Sequence, residues 1–244
     1  MIKLTLPDKP RELTEEMQKS LTENFKANPK SRVWDKDWIK RPLLEMTNGK
    51  CAYSEMMLNE EGKWAQIEHI HPKSKYPDEV VEWGNLVPCS NVCNAKKGKL
   101  DTKKIPIVNP LIDNPKDYFF IVNGRLCVKD PKCKKAINTL EYCDLNNISQ
   151  FRKIRIRLEN NFRNRLTEIC DNVVKDSTYW AVKLKLLMES CGRKHAYSST
   201  LSTCVLYDEH YLKIKKFLID EKIWNTDYDT FEKEMLFCAL PKPM

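Results

Sequence analysis

Ile67-Glu68-His69-Ile70-His71-Pro72-Lys73-Ser74, followed by Trp83-Gly84-Asn85-Leu86 and then Cys93-Asn94-Ala95-Lys96-Lys97-Gly98, is the stretch from which the rest of the chain is best read. Two of the four histidines stand in it, two positions apart. Trp64 to His69 reads as a strand, Pro72 and Pro77 mark a loop, and Ser90 to Gly98 reads as a short helix. With the strand ending at His69 and the helix carrying Asn94, a carboxylate from Glu68 and a carboxamide from Asn94 can converge on one hard cation. Oxygen ligands of this kind suit Mg2+ or Mn2+, with water and a substrate phosphate completing the octahedron. The imidazole of His69, beside that carboxylate and with an ordinary pKa of about 6.5, is placed to take a proton from water. An acid, an adjacent histidine and a distant amide are what phosphodiester hydrolysis at a single metal ion requires.

Working outward, Leu13, Met17, Leu21 and Phe25 recur every four positions along one helical face, which Asn28-Pro29 closes. A second helix is predicted from about Trp34 to Met46, with Pro42 as a kink or late start and Asn48-Gly49 as its stop. Cys51-Ala52-Tyr53 reads as a first short strand of the central segment. Residues 105–145 are rich in turn signals and predicted irregular, apart from a hairpin of Tyr118–Val122 and Arg125–Val128 about Asn123-Gly124. Phe151, Ile154, Leu158, Phe162 and Leu166 form a helical stripe, and further helices are expected at Tyr179–Glu189, Tyr207–Trp224 and Tyr228–Leu236. The fold class is therefore α+β: a mostly helical protein with an embedded ββα-metal motif and a small β-hairpin. The organisation expected is an N-terminal helical segment (1–49), a ββα core (50–104), and a hairpin with a C-terminal helical block (105–244) for partner docking or substrate support.

The 244 residues are 41% hydrophobic and 31% charged, enough to bury a core and too apolar for disorder. The opening Met1-Ile2-Lys3-Leu4-Thr5-Leu6 has no signal-peptide pattern and no apolar run approaches the ~20 residues of a bilayer span, so a cytoplasmic protein without a membrane partner is expected. A net charge of +8 suits a polyanion modestly. Lysines 96, 97, 99, 103 and 104 follow the motif where a phosphate backbone must pass, and Lys96, Lys97 and His71 are the expected phosphate contacts. His71 reads equally as an exposed loop residue. A second basic cluster, from Arg152 to Arg165, reads equally as the polar face of an amphipathic helix.

The motif resembles the HNH endonucleases, whose ββα-metal element carries an acid-His pair, a central Asn-Leu and a terminal Cys-Asn-x-x-Lys-Gly. That resemblance implies Glu68 and Asn94 as metal ligands, His69 as general base, and Asn85 as a brace of the loop. A wider likeness covers about residues 30–147: Leu44 to Tyr53, Pro72 to Pro77 with Glu82-Trp83, Asn109-Pro110 with Asp113, and Leu145-Asn146. These are similar to the PtuB family, the HNH subunit of Septu-type antiphage systems, which also accompanies some retrons. The family implies DNA as substrate and an ABC/SMC-like ATPase partner, PtuA; a retron setting would add a reverse transcriptase and its DNA–RNA hybrid. RNA, such as tRNA, and a catalytically weak adaptor docked on the ATPase are the rival readings. Many HNH proteins also hold a structural zinc between two Cys-x-x-Cys knuckles. Here the knuckles read Cys51-x-x-Ser54 and Ser90-x-x-Cys93, with Cys89 one place off register, so Cys51, Cys89 and Cys93 are expected to pack as small hydrophobes more than to bind Zn2+.

Overall fold

In the computed structural model, residues 1–58 and 65–242 are described, so Trp64 at the expected strand's start lies outside them. The chain divides into two units, one of Lys3–Asn114 with Asp130–Leu145, the other of Pro115–Lys129 with the chain from Asn146 onward.

In the first unit α1 (Glu15–Ala27) starts at Thr14, whose hydroxyl accepts from the Met17 amide, and buries Leu21 and Phe25. Helix α2 (Asp37–Met46) runs through Pro42 and buries Ile39 and Leu43. Both faces meet Trp34, Val80, Val81, Trp83, Ile67 and Leu86 in one core. Strands β1 (Gln66–His69) and β2 (Leu86–Cys89) pair antiparallel, with Glu68 opposite Val87 and His69 opposite Leu86. The second strand of the motif is thus Leu86–Cys89 and not Cys51-Ala52-Tyr53, which forms a turn bonded to Pro88 through the Ala52 amide. Helix α3 (Asn91–Lys97) follows at once, its first turn capped by Ser90 Oγ.

The turn-rich region expected to be irregular contains a helix, α4 (Lys134–Tyr142), which belongs to this first unit. Its Thr139 is fully buried and accepts the Val108 amide at 2.7 Å.

In the second unit β3 (Phe119–Val122) and β4 (Arg125–Val128) form the expected hairpin, with Asn123 and Gly124 both at positive φ as a type I′ turn requires. A π-helical turn at Ile148–Arg152 leads into α5 (Lys153–Asn172). Then come α6 (Ser177–Glu189), α7 (Ser198–Leu206), α8 (Glu209–Asp220) and α9 (Thr226–Cys238) around one apolar core. The expected helix at Tyr207–Trp224 is shorter, and α7 before it was not expected. The basic run on α5 is not one solvated face: Arg155 is buried and donates to the Gly124 carbonyl at 3.1 Å. Among the described residues no helix is long and apolar enough to cross a membrane.

Candidate active site

Strand geometry sets up the site. Side chains alternate along β1, so Gln66 and Glu68 share one face while Ile67 and His69 share the other. Helix α3 lies over the first face, and residues three apart on it, Asn94 and Lys97, both reach the strand. The Asn94 amide nitrogen donates to Gln66 Oε1 at 2.7 Å, and Lys97 Nζ donates to Glu68 Oε1 at 2.6 Å and to the His69 carbonyl at 2.8 Å. Gly98 ends the helix at φ +53 and ψ −123, a backbone region that only glycine enters without strain.

Glu68, His69 and Asn94 line one pocket of about 300 Å³, together with Phe25, Pro29, Pro72, Lys73, Ser74, Gly98 and Lys99. Glu68 is buried, which raises its carboxyl above the usual range against the pull of Lys97. Its Oε1 accepts from Lys97, and the carboxylate also accepts from the His69 amide. The amide nitrogen of Asn94 is taken by Gln66, leaving Oδ1.

His69 is held from two sides. Its ring meets Trp34 edge-on at 4.8 Å, and Nε2 lies 2.8 Å from the Val80 carbonyl. A carbonyl can only accept, so Nε2 carries the proton and Nδ1 keeps a lone pair. Among the described residues that buried Nδ1 has no hydrogen-bond partner. Burial above all, with the charges of Lys73 and Lys97, lowers the histidine's pKa to about 3, so the ring is neutral at ordinary pH. A carboxylate, an amide oxygen and an imidazole nitrogen from residues lining one pocket are a donor set for a hard divalent ion and its water.

Asn85 is buried and spans the loop after β1. Its Oδ1 accepts the His71 amide at 2.7 Å, while Nδ2 donates to the His71 and Glu79 carbonyls at 3.2 and 3.1 Å. The His71 side chain is turned to Glu79, with Nδ1 2.6 Å from Oε2, and does not line the pocket. Lys96 is exposed outside the pocket, and Lys97, expected at a phosphate, is instead buried against Glu68. The pocket's basic groups are Lys99 and Lys73, and Lys73 was not singled out from sequence. Its ammonium sits 4.6 Å from the Trp34 ring centre, and desolvation lowers its pKa. Its adjacency to His71-Pro72 was the available signal.

Cys51, Cys89 and Cys93 do converge, their sulfurs all within 4.8 Å of one another and buried. Burial disfavours the Cys51 thiolate, but bonds from Cys89, Cys93 and the Ser54 amide outweigh it and hold its pKa well below the usual thiol value.

An HNH endonuclease family model matches residues 51–101, which contain β1, β2 and α3. The Septu protein PtuB of Bacillus thuringiensis is 35% identical over 242 residues, covering 93% of this chain and 91% of that protein. The chain belongs to the PtuB family of HNH endonucleases. It is accordingly a nuclease that hydrolyses phosphodiester bonds. The match to the PtuB relative extends well beyond the expected limits of 30–147 and takes in the helical second unit.

Proposed function

We propose that the chain is a metal-dependent endonuclease of an antiphage defence complex, with DNA as its substrate and one Mg2+ or Mn2+ held by Glu68 and Asn94. The observation that carries the reading is the shared pocket: Glu68, Asn94 and His69 line one cavity, and among the described residues the buried Nδ1 of His69 has no hydrogen-bond partner. The bound ion would polarise the scissile phosphate and stabilise the leaving oxygen. His69 accepts the proton of the attacking water at Nδ1, while the Val80 carbonyl fixes its ring and tautomer. Lys73 and Lys99 at the pocket meet the phosphate backbone, and Asn85 keeps the loop carrying Lys73 in register with β1. The pKa of about 3 describes the free protein, in which the ring is neutral and its Nδ1 lone pair is available to a proton.

The three thiols do not make a complete structural zinc site. Tetrahedral zinc takes four nitrogen or sulfur ligands, and among the described residues the cluster holds three, with Ser54 where the first knuckle's second cysteine would stand. No step is assigned to zinc. The PtuB name of the relative supports an ATPase partner of the PtuA kind, for which the helical second unit is the docking surface we favour.

The test is incubation of the purified protein, alone and with its cognate ATPase, with plasmid DNA and with total tRNA in Mg2+ or Mn2+. Plasmid cleavage lost in His69→Ala is the expected result. Cleavage confined to tRNA would replace the substrate, and ATPase binding without cleavage of either polymer would make the chain an adaptor.

A further inference from the structure

With Glu68 and Asn94 as the ion's ligands, a premise shared with the proposed function, the charges around them decide when the ion binds. Lys97 Nζ is fully buried, at 2.6 Å from Glu68 Oε1 and 2.8 Å from the His69 carbonyl. The carboxylate that would attract a divalent ion is thus already matched by a cation built into α3. Asn94 and the neutral His69 contribute no charge. Glu68 is the one carboxylate among the described residues lining the pocket, whereas Lys73 and Lys99 both line it. Counted with Lys97, three lysines surround one acid. Such a site repels a bare dication, since like charges a few ångströms apart in a partly desolvated cavity interact strongly. A phosphodiester reverses the balance, bringing both negative charge and an oxygen ligand.

We propose that Lys97 makes divalent-ion binding conditional on the nucleic-acid backbone. The free protein holds the ion weakly, and the ion and a phosphodiester bind together, each strengthening the other by the same factor. Lys97 is here a positioning residue: it fixes the Glu68 carboxylate through Oε1 and offsets its charge, and the substrate phosphodiester supplies the negative charge the ion needs.

Calorimetric titration of MnCl2 into full-length protein tests this, with and without a short duplex DNA or a hairpin RNA, since either polymer supplies the phosphodiester. A His69→Ala background slows turnover. Lys97→Met removes charge and hydrogen bonds; Lys97→Gln removes the charge but keeps N–H donors, and circular dichroism melting checks that each variant folds. The protein with Lys97 should bind Mn2+ at least about tenfold more tightly once one polymer is present. Without polymer, both variants should bind Mn2+ at least about tenfold more tightly than the Lys97 protein, with less further gain from polymer. Equal Mn2+ affinity with and without both polymers, or weaker binding in the Gln variant, would overturn the proposal. Adding Asn94→Ala to Lys97→Gln should abolish the tight site. Mn2+ binding indifferent to Asn94, or absent from every protein and mixture, would remove the underlying ligand assignment as well.

Discussion

At the scale of single residues, the base we propose, His69, keeps two ring partners among the described residues. Trp34 and the Val80 carbonyl orient it, and its buried Nδ1 has no hydrogen-bond partner among the described residues. Replacement by alanine should lower the cleavage rate by about 10²–10⁴-fold, the usual worth of a positioned base, measured under single-turnover conditions. The depressed pKa has a separate signature in stability. An unfolded histidine takes up its proton near 6.5 and the folded one only near 3, so the unfolded chain binds more protons between those values. The contribution of neutral His69 is complete above about pH 6.5 and is lost as the pH falls toward 3. Thermal melts of His69→Phe, which keeps the ring against Trp34, should therefore decline less steeply than wild type from pH 6.5 to 4. An identical slope would mean that His69 titrates normally. Lys73→Gln should raise KM more than it lowers kcat in steady-state cleavage, because the role we propose for its ammonium is at the backbone and not at the reacting atoms. The acid-His pair and the later asparagine were legible from type and spacing, since those groups are useful only together. The burial of Lys97 was not, because it depends on which strand face α3 covers.

At the scale of elements, the site is a two-strand, one-helix scaffold whose polar rungs, Asn94 to Gln66 and Lys97 to Glu68, fix the helix against β1. Gly98 ends that helix in a conformation a side chain enters only with strain, so Gly98→Ala should cost about 1–3 kcal/mol in denaturant unfolding and displace Lys99 from the pocket. Gly84 is the control. An added Cβ there meets nothing within 4 Å, and Gly84→Ala should leave the midpoint nearly unchanged. Elements with an explicit local code were readable: the Asn123-Gly124 hairpin by its turn, α5 by its apolar stripe, and α1 by a stripe of which Leu21 and Phe25 are buried in the helix, while Leu13 precedes it and Met17 is exposed. Strand β2 was missed because Leu86-Val87-Pro88-Cys89 is buried throughout, leaving no alternation to read, and contains a proline. Helix α7 was missed for a related reason. Its serines and threonines are buried on every side, satisfied by bonds such as Thr203 Oγ1 to the Ser199 carbonyl and Ser202 Oγ to the Cys191 carbonyl, so no apolar period marks it.

At the scale of the whole molecule, likeness to PtuB across 93% of the chain means that the helical second unit is shared along with the nuclease motif. A fold retained at that extent around a small catalytic segment suits a subunit of a larger machine. The chain and its cognate ATPase should co-elute as one species in size-exclusion chromatography, and separate elution under all nucleotide conditions would argue for an independent nuclease. The central claim is local and can be observed directly. Anomalous diffraction at the manganese edge, from crystals of His69→Ala soaked in high Mn2+ with a short duplex oligonucleotide, should show one ion bonded to Glu68 Oε2 and Asn94 Oδ1 at about 2.1 Å, the spacing of hard octahedral ions. An ion found only among Cys51, Cys89 and Cys93, or a pocket with the oligonucleotide bound and no metal between those two side chains, would contradict it.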